Sequence, residues 1–411
     1  MSGVIAAVAD EGAHSAQPDA RRKGMALRGF LAQNVAIGSA FGTFSVALLP
    51  LQEHYNAGRG IVTMGLAVAM LAMGLSGPLV AHLMARIGIR GTMLTGLALS
   101  IAGYVMLAFA PNIWVVLLAY GLPVGLGMTM MGPIPASVLA ARWFPHNPGP
   151  AVGFVNMPVL LIFIPIASVP LLSHFGLTGM YLAMAALHVL FLPVITGIAE
   201  GPAGIGGAAA HAAGGGVPAR QILTRPLFWA IVVAAGTLNA MGIIGSSNIV
   251  ALGIERGITP DTAALLASIM GLASVAGAYG AGLICARIGG AGAVALIAVT
   301  VAIGWGVLSF AQGFGLIAAM TLLIGAGGAG VFPAVNVLAA EAFGPSAVAR
   351  TLGLFTMATL PLTFLVPPVA GAVVDAAGNY LPVILASATA ALGVAAIALT
   401  MARLRRASAL N

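Results

Sequence analysis

The amino-acid sequence predicts an all-α membrane protein whose twelve transmembrane helices form two pseudo-symmetric bundles of six. Three observations support this prediction. The 411 residues are 60% hydrophobic and only 6% charged, whereas about 25% of the residues of an ordinary soluble domain are charged. The apolar residues come in runs long enough to cross a bilayer. A stretch rich in Gly and Ala separates six of these runs from the other six.

The composition excludes several other classes of protein. A soluble surface cannot be built from so few charged residues. A β-barrel would alternate apolar and polar residues along each strand, whereas these runs are unbroken, so helices are favoured. The formal net charge of +7 does not indicate a nucleic-acid partner, because the basic residues form no stripe with interleaved aromatic residues. The single Cys285 excludes an internal disulfide.

Each predicted span holds at least about 18 apolar residues, enough to cross about 30 Å of hydrocarbon. The spans of the first half are predicted near residues 28–52, 60–84, 91–110, 113–141, 149–173 and 177–199. Those of the second half are predicted near residues 225–254, 259–286, 290–312, 315–342, 347–374 and 379–402. The resulting units are a disordered cytoplasmic tail at 1–27, a first bundle at 28–199, a cytoplasmic linker at 200–224, a second bundle at 225–403 and a tail at 404–411.

The distribution of Lys and Arg predicts the orientation in the membrane, because cytoplasmic loops carry an excess of these residues. An even number of spans puts both termini on one side. That side holds fourteen of the sixteen Lys and Arg residues, and only Arg59 and Arg256 lie opposite. Both termini are therefore predicted to be cytoplasmic. The abundance of Ala, Gly and Arg is typical of a GC-rich bacterial genome, so the predicted location is the bacterial inner membrane.

Two short segments recur between the halves. LMARIG at residues 83–88 returns as ICARIG at 284–289, 201 residues later, and VLAARWF at 138–144 returns as VLAAEAF at 337–343, 199 residues later. Both matches fall at equivalent helix ends, and their offsets agree to within two residues. They indicate a duplication, and parallel six-helix halves are an architecture of transporters with the solute site at the midplane between them.

The chain resembles the major facilitator superfamily over essentially its whole length after the first tail. GPLVAHLMARIGIR at residues 77–90 looks like the signature G-x-L-x-x-x-x-D-R-x-G-x-R, with Arg86, Gly88 and Arg90 in place. Three segments are most similar to the oxalate/formate antiporter and monocarboxylate porter branch: FGTFSVALLPL at 41–51, ARWFP at 141–145 and PPVAGAVVDAAGNY at 367–380. The resemblance implies the major facilitator fold and secondary transport by alternating access.

The sequence departs from the family pattern at positions that carry charge. Ala85 stands where the signature has its Asp, and Ala286 stands at the equivalent place in the second half. Ser274 and Ala278 occupy the span 8 positions where the branch has an acid and the Arg that binds a carboxylate. The gate and the substrate site must therefore rely on other residues.

Polar side chains at membrane depth are the candidates for substrate binding, since an unpaired amide that faces lipid costs free energy. The resemblance places spans 1, 4, 5, 7, 8, 10 and 11 around the cavity. The predicted substrate-binding residues are Asn34, Phe41, Asn156, Asn239, Ser274, Asn336 and Thr356. The alternative is that the amides only hydrogen-bond neighbouring helices.

Titratable groups are scarce inside the spans. All nine acids lie in the tail or at predicted helix ends, which disfavours a buried proton relay of carboxylates. His188 is the one titratable group well inside a span, and it is interpreted as a neutral structural histidine, with a proton site as the alternative. No metal site and no cofactor are predicted.

Charged residues at the cytoplasmic helix ends are predicted to form a gate. They are Arg86, Arg90, Arg142, Arg287, Glu341 and Arg350. We expect Glu341 to pair with Arg287 or Arg350 across the gate, and the pair to break when the carrier opens inward.

The sequence thus predicts a secondary transporter and no enzyme, because it contains no HExxH or CxxC pattern. The branch resemblance favours a small organic acid as the substrate. The missing cationic anchor favours the alternative, which is efflux of an uncharged or lipophilic compound. The predicted partners are the solute, membrane lipids and a coupling proton or counter-substrate, and the predicted state is a monomer.

Overall fold

The computed structural model describes residues 19–144, 148–201, 219–343 and 348–409, and every regular element within these ranges is helical. A π-helical turn at Tyr120–Val124 connects α4 and α5. The helices of the first half are α1 (Asp19–Tyr55), α2 (Arg59–Leu75), α3 (Gly77–Ala108), α4 (Ile113–Ala119), α5 (Gly125–Met131), α6 (Pro133–Trp143), α7 (Pro148–Val155), α8 (Leu160–Leu190) and α9 (Leu192–Thr196). Those of the second half are α10 (Ala219–Leu223), α11 (Pro226–Glu255), α12 (Pro260–Leu308), α13 (Phe314–Phe343), α14 (Val348–Ala377) and α15 (Leu381–Ala409).

Nine helical stretches of the described residues are long and apolar enough to cross a membrane. Three of them continue through a bend, namely Gly77–Ala108, Ala151–Thr196 and Pro260–Leu308, which have 32, 46 and 49 residues. Each bends at a glycine whose backbone angles are not helical, and these are Gly88, Gly176 and Gly289. Each of the three bends can be counted as the turn between two passes, and α2 together with α3 up to Gly88 can be counted as one pass. Counted in this way, the described chain makes the twelve predicted passes.

The bend in the segment that resembles the family signature, at Gly88, and the bend in its repeat, at Gly289, have the same backbone conformation. Gly88 has φ 76° and ψ 175°, and Gly289 has φ 74° and ψ 171°. L-residues with a Cβ rarely adopt a positive φ. The glycine that ends each copy of the repeated segment therefore makes the same sharp turn in both halves, and the sequence repeat is also a repeat of structure.

The helix directions define two ends of the molecule. The terminal end holds the start of α1, the bends at Gly88 and Gly289 and the end of α15, and the far end is the opposite one. The halves meet where α2 packs on α14, α8 on α12 and α1 on α11. The predicted domain boundaries stay predictions, and residues 1–18, 202–218 and 410–411 of the predicted tails and linker lie outside the described residues.

Candidate functional site

A cavity of about 260 Å³ lies between the two halves. It is lined by residues of spans 1, 2, 5, 7, 8 and 10, and no Asp, Glu, His, Lys or Arg is among the described residues that line it. Three of the predicted substrate-binding residues meet there, namely Phe41, Asn239 and Ser274. The full lining is Ile37, Phe41, Ser45, Met70, Pro158, Leu161, Pro165, Asn239, Gly242, Ile243, Ser246, Ala267, Met270, Ser274, Gly325, Gly328 and Ala329.

Asn239 is the polar group of this wall with the most unused hydrogen-bonding capacity. Its half-exposed side chain makes no hydrogen bond to any residue in the described part of the chain, although an amide offers two N–H donors and a carbonyl acceptor. It lies midway along α11 and borders the cavity. Its amide can therefore donate to a bound solute and accept from it.

The serine hydroxyl groups of the wall already donate hydrogen bonds to backbone carbonyl groups. Ser274 Oγ donates to the carbonyl oxygen of Met270 at 2.8 Å, and Ser246 Oγ donates to that of Ile243 at 3.0 Å. Each hydroxyl oxygen still has lone pairs that can accept a hydrogen bond. Around them Phe41 and Met270 form an apolar surface. The site therefore suits a solute that is mostly apolar and carries few polar groups.

Asn34 lies outside the cavity lining and is fully buried. Its Nδ2 donates to the carbonyl oxygens of Phe30 and Met157 at 2.9 and 2.8 Å, and its Oδ1 accepts from the Leu160 N–H at 2.9 Å. Pro158 interrupts span 5 at this point and leaves backbone groups without helical partners. Asn34 supplies those partners, so its amide holds span 5 against span 1.

The remaining predicted substrate residues also lie outside the lining. Asn156 Nδ2 donates to Ser137 Oγ and to the Val152 carbonyl oxygen, at 2.8 Å each. Asn336 Nδ2 donates to the Phe332 carbonyl oxygen at 2.9 Å. Thr356 is exposed, and its hydroxyl donates to a backbone carbonyl one turn earlier in α14. Their assignment to the substrate stays a prediction.

Glu200 organises the bend of the first half at the terminal end. Its carboxylate accepts from the backbone N–H groups of Ile89 and Arg90 at 3.0 and 3.1 Å, immediately after Gly88. These N–H groups lie at the start of the part of α3 that follows the bend. The first turn of a helix has N–H donors without partners inside the helix. Arg142 Nη1 pairs with the same carboxylate at 3.2 Å. Glu200 thus joins spans 3, 4 and 6 within one half.

Glu341 takes the corresponding position in the second half. Its Oε1 accepts from the Gly290 N–H at 3.0 Å, immediately after the bend at Gly289. The repeat aligns Glu341 with Arg142, so the acid that binds the first N–H groups after the bend comes from span 10 in one half and from the end of span 6 in the other. The described backbone bond of Glu341 lies within its own half.

The other predicted gate residues lie at the terminal end as expected. Arg86, Arg90 and Arg287 have exposed side chains. Arg350 belongs to α14, but its side chain lies outside the part of the molecule that the structure describes. The predicted pairing of Glu341 with Arg287 or Arg350 across the gate stays a prediction.

The far end joins the two halves directly. The Gly60 N–H donates to Asp375 Oδ2 at 3.1 Å, and Thr63 Oγ1 donates to the Pro367 carbonyl oxygen at 3.4 Å. The Arg59 guanidinium lies 4.8 Å from the centre of the Tyr380 ring. These contacts connect α2 with α14 and with the loop that follows it. The two hydrogen bonds hold the first half against the second at the far end.

Tyr380 anchors that loop to the second half. Its Oη donates to Asn248 Oδ1 at 3.1 Å, and its N–H donates to Glu255 Oε1 at 3.3 Å. Burial raises the pKa of its phenol well above the ordinary value. The hydroxyl therefore remains a neutral donor, and Tyr380 offers Arg59 a fixed aromatic face.

His188 is fully buried in the first half, away from the cavity. Its Nδ1 lies 2.8 Å from the Met184 carbonyl oxygen, and its ring packs 5.0 Å from that of Tyr104. Because a carbonyl only accepts, the proton sits on Nδ1. These contacts support the structural interpretation of this histidine.

Sequence reasoning missed Glu200 and Asp375. Both were counted as acids at helix ends, but neither was given a partner. A signal was available for each. Glu200 ends span 6 on the same side as the signature loop, and Asp375 lies in a segment quoted for the family resemblance. Their backbone partners are not visible in a sequence, because any residue type presents the same N–H group.

Two six-helix bundles around a central cavity define the class: this is the architecture of membrane transporters rather than of enzymes. Residues 30–250, more than half of the chain, match the sequence family described as the Major Facilitator Superfamily. The chain therefore belongs to the Major Facilitator Superfamily, and it is a multi-pass membrane protein.

Relatives and solved structures agree with this assignment. An uncharacterised transporter of the superfamily, YcxA of Bacillus subtilis (strain 168), is 23% identical over 172 residues, 41% of this chain and 42% of the relative. The match thus spans about two fifths of that relative's length.

Two solved structures share the fold at low identity. A bacterial homologue of the human lysosomal transporter Spinster, inward-facing and unoccupied, superposes with a TM-score of 0.75 at 13% identity, over 94% of this chain and 98% of its own. The xylose transporter XylE of E. coli, in a partially occluded inward-open conformation, gives 0.72 at 14% identity, over 92% and 97%.

Proposed function

We propose that this protein is a secondary transporter that moves a small organic solute by alternating access across the bacterial inner membrane. The observation that carries the proposal is the central cavity, which lies between two bundles joined at the far end. A site between two halves is reached from alternate sides when one half rocks against the other. The predicted partners, namely lipids, a solute and a coupling proton or counter-substrate, and the predicted monomer belong to this proposal.

The excess of Lys and Arg at the terminal end supports a cytoplasmic position for that end. With this orientation the far end is periplasmic, and the structure is closed toward the periplasm. The two solved relatives described above have inward-facing conformations, which agrees with this assignment of state.

The lining of the cavity favours an uncharged solute over an organic acid. None of its described residues carries a charge, and an anion held without a cationic partner in such a site would pay a large desolvation cost. The xylose transporter XylE and the nucleoside transporter NupG share the fold, and both are named for uncharged solutes. Efflux or uptake of a small uncharged compound is therefore the first candidate.

A small organic acid is the second candidate, and one observation favours it. The free N–H donors of Asn239 face the cavity and could bind a carboxylate oxygen without a charge. The acids of the described spans, such as Glu53, Glu341 and Asp375, lie near helix ends, and none of them lines the cavity. Uniport and exchange are accordingly as well supported as proton symport.

Flux into proteoliposomes tests the proposal. The protein is reconstituted and offered radiolabelled xylose, a nucleoside, oxalate, formate and a lipophilic cation, each at two pH gradients. We expect saturable flux and counterflow for an uncharged compound and little response to the pH gradient. Saturable flux of oxalate or formate alone would select the second candidate. Single-channel currents, together with the absence of counterflow for every solute, would contradict alternating access.

A further inference from the structure

We propose that Asp375 caps the first turn of span 2 across the interface between the halves, and that this cap favours the conformation closed at the far end. The inference rests on the proposed alternating access and concerns a residue that nothing in the sequence assigned to a gate. Asp375 lies near the end of α14 in the second half, and the helix that it caps is α2 of the first half.

The start of α2 lacks a cap of its own. Gly58 occupies the N-cap position with φ −62° and ψ 149°, and it has no side chain that could accept a hydrogen bond. The first turn of a helix has N–H groups without internal partners, and an Asp oxygen is among the best acceptors for them. Here the acceptor is Asp375 Oδ2, 3.1 Å from the Gly60 nitrogen. Its negative charge also suits the positive end of the helix.

Two glycines allow the backbones of α2 and α14 to approach closely enough for this bond. A Cβ added to Gly60 would lie 3.0 Å from the Ala372 nitrogen, and one added to Gly371 would lie 2.9 Å from Gly60 Cα. Side chains at either position would separate the two helices. The far end is therefore built for direct backbone contact, with Asp375 at its outer edge.

The carboxylates that cap helices at the terminal end differ from Asp375, because their hydrogen bonds do not cross between the halves. Glu200 binds the N–H groups of Ile89 and Arg90, and Glu341 binds that of Gly290. Each of these bonds joins residues of the same half, so it persists while the halves rock. The Asp375 bond joins different halves. It is lost when span 2 separates from span 11, so it lowers the free energy of the far-closed state only.

A typical N-cap replacement by Ala changes stability enough to alter an equilibrium about fivefold. We therefore expect Asp375→Ala to raise the ratio of far-open to far-closed molecules about fivefold. Asp375→Asn should keep most of the wild-type ratio, because Asn caps nearly as well as Asp. The matched control is Asp261→Ala, which removes an exposed acid from the first turn of α12 at the same end.

Distance measurements between spin labels test this expectation. Labels are attached at Pro111→Cys and Gln312→Cys, which are exposed positions at the far end of the two halves, in a Cys285→Ala background. Pulsed electron-spin measurements in proteoliposomes then give the populations of short and long distances. The long-distance population should grow in Asp375→Ala and stay at the wild-type level in Asp261→Ala.

A double variant separates a gate from mere helix stabilisation. Gly58→Ser supplies a local cap for α2, and in the Asp375→Ala background the oxygen that a new Cβ would meet is absent. If Asp375 only stabilises α2, the double variant returns to the wild-type distances. We expect it to keep the long distances of Asp375→Ala.

Unchanged distances in Asp375→Ala, or their full recovery in the double variant, would overturn the inference. A shifted distance distribution in a protein without measurable transport would leave this inference standing and count against the proposed function instead.

Discussion

Asn34 and Asn239 have the same side chain, and each lies in the first span of its half. The amide of Asn34 is fully used, with three hydrogen bonds to the backbone of spans 1 and 5. The amide of Asn239 has no hydrogen bond within the described residues and faces the cavity. The amide inside one half satisfies the backbone of that half, whereas the amide that borders the interface between the halves remains available to a solute. The location relative to that interface, and not the residue type, separates structure from function.

The first test of this comparison is Asn34→Ala, which has the largest expected effect. It would leave the partly buried Leu160 N–H without a partner, which costs about 1–3 kcal/mol, and would remove one of the two hydrogen bonds that the Met157 carbonyl accepts, worth about 1 kcal/mol. We expect the free energy of unfolding to fall by about 3 kcal/mol, measured by denaturant unfolding in mixed micelles with tryptophan fluorescence. Asn239→Ala is the matched control and should unfold at the wild-type midpoint. Equal losses of stability in the two variants would contradict the comparison.

The second test compares the two glycine bends, which also lie within single halves. The backbone angles of both glycines lie in a region that other residues rarely adopt, so alanine costs about 1–3 kcal/mol in either half. At Gly88 the new Cβ would also overlap Glu200 Oε1, whereas at Gly289 it would lie 3.3 Å from Glu341 Oε1. We therefore expect Gly88→Ala to lower the free energy of unfolding by about 2 kcal/mol and Gly289→Ala by about 1 kcal/mol. The same unfolding assay checks the order, and a larger loss in Gly289→Ala would show that Glu200 yields easily.

The third test concerns transport, and its expected effect is the smallest in free energy. Asn239→Ala removes a hydrogen bond to the solute worth about 1 kcal/mol, which corresponds to a fivefold rise in KM. The concentration dependence of uptake in proteoliposomes measures it for the solute identified in the flux assay. Asn336→Ala removes an amide that lies outside the cavity lining and should leave KM unchanged. An equal rise of KM in both variants would contradict this expectation and support the prediction that Asn336 binds the substrate.

Much of the fold could be predicted from the sequence. The long apolar runs predicted twelve passes, because a bilayer forces the backbone to form helices, and the recurring segments that end at Gly88 and Gly289 predicted a repeat. The described residues form only nine long apolar stretches, because some successive spans are not separated by a polar loop. Spans that follow each other through a single glycine read as one long helix, and only the backbone angles at the bends separate them.

The site was less predictable, since contacts between the halves depend on residues hundreds of positions apart. The sequence predicted Asn34, Phe41, Asn239 and Ser274 together as substrate residues. Phe41, Asn239 and Ser274 line the cavity, whereas Asn34 lies outside its lining. No pattern within span 1 tells an amide that faces the cavity from one that meets the break in span 5. Asp375 illustrates the same limit, because its partner is a backbone N–H 315 residues away.

Sequence by itself determined that this chain spans a membrane, that it has two related halves and that one end carries nearly all of its positive charge. These properties follow from the membrane environment. Lipid accepts apolar helices, and the excess of Lys and Arg in cytoplasmic loops can be read from each loop separately. Tertiary structure alone decided which amide borders the cavity, which acid caps which helix and which residues connect the halves at the far end. Those properties depend on the packing of one half against the other, and a side chain's role there is set by the partner that packing brings to it.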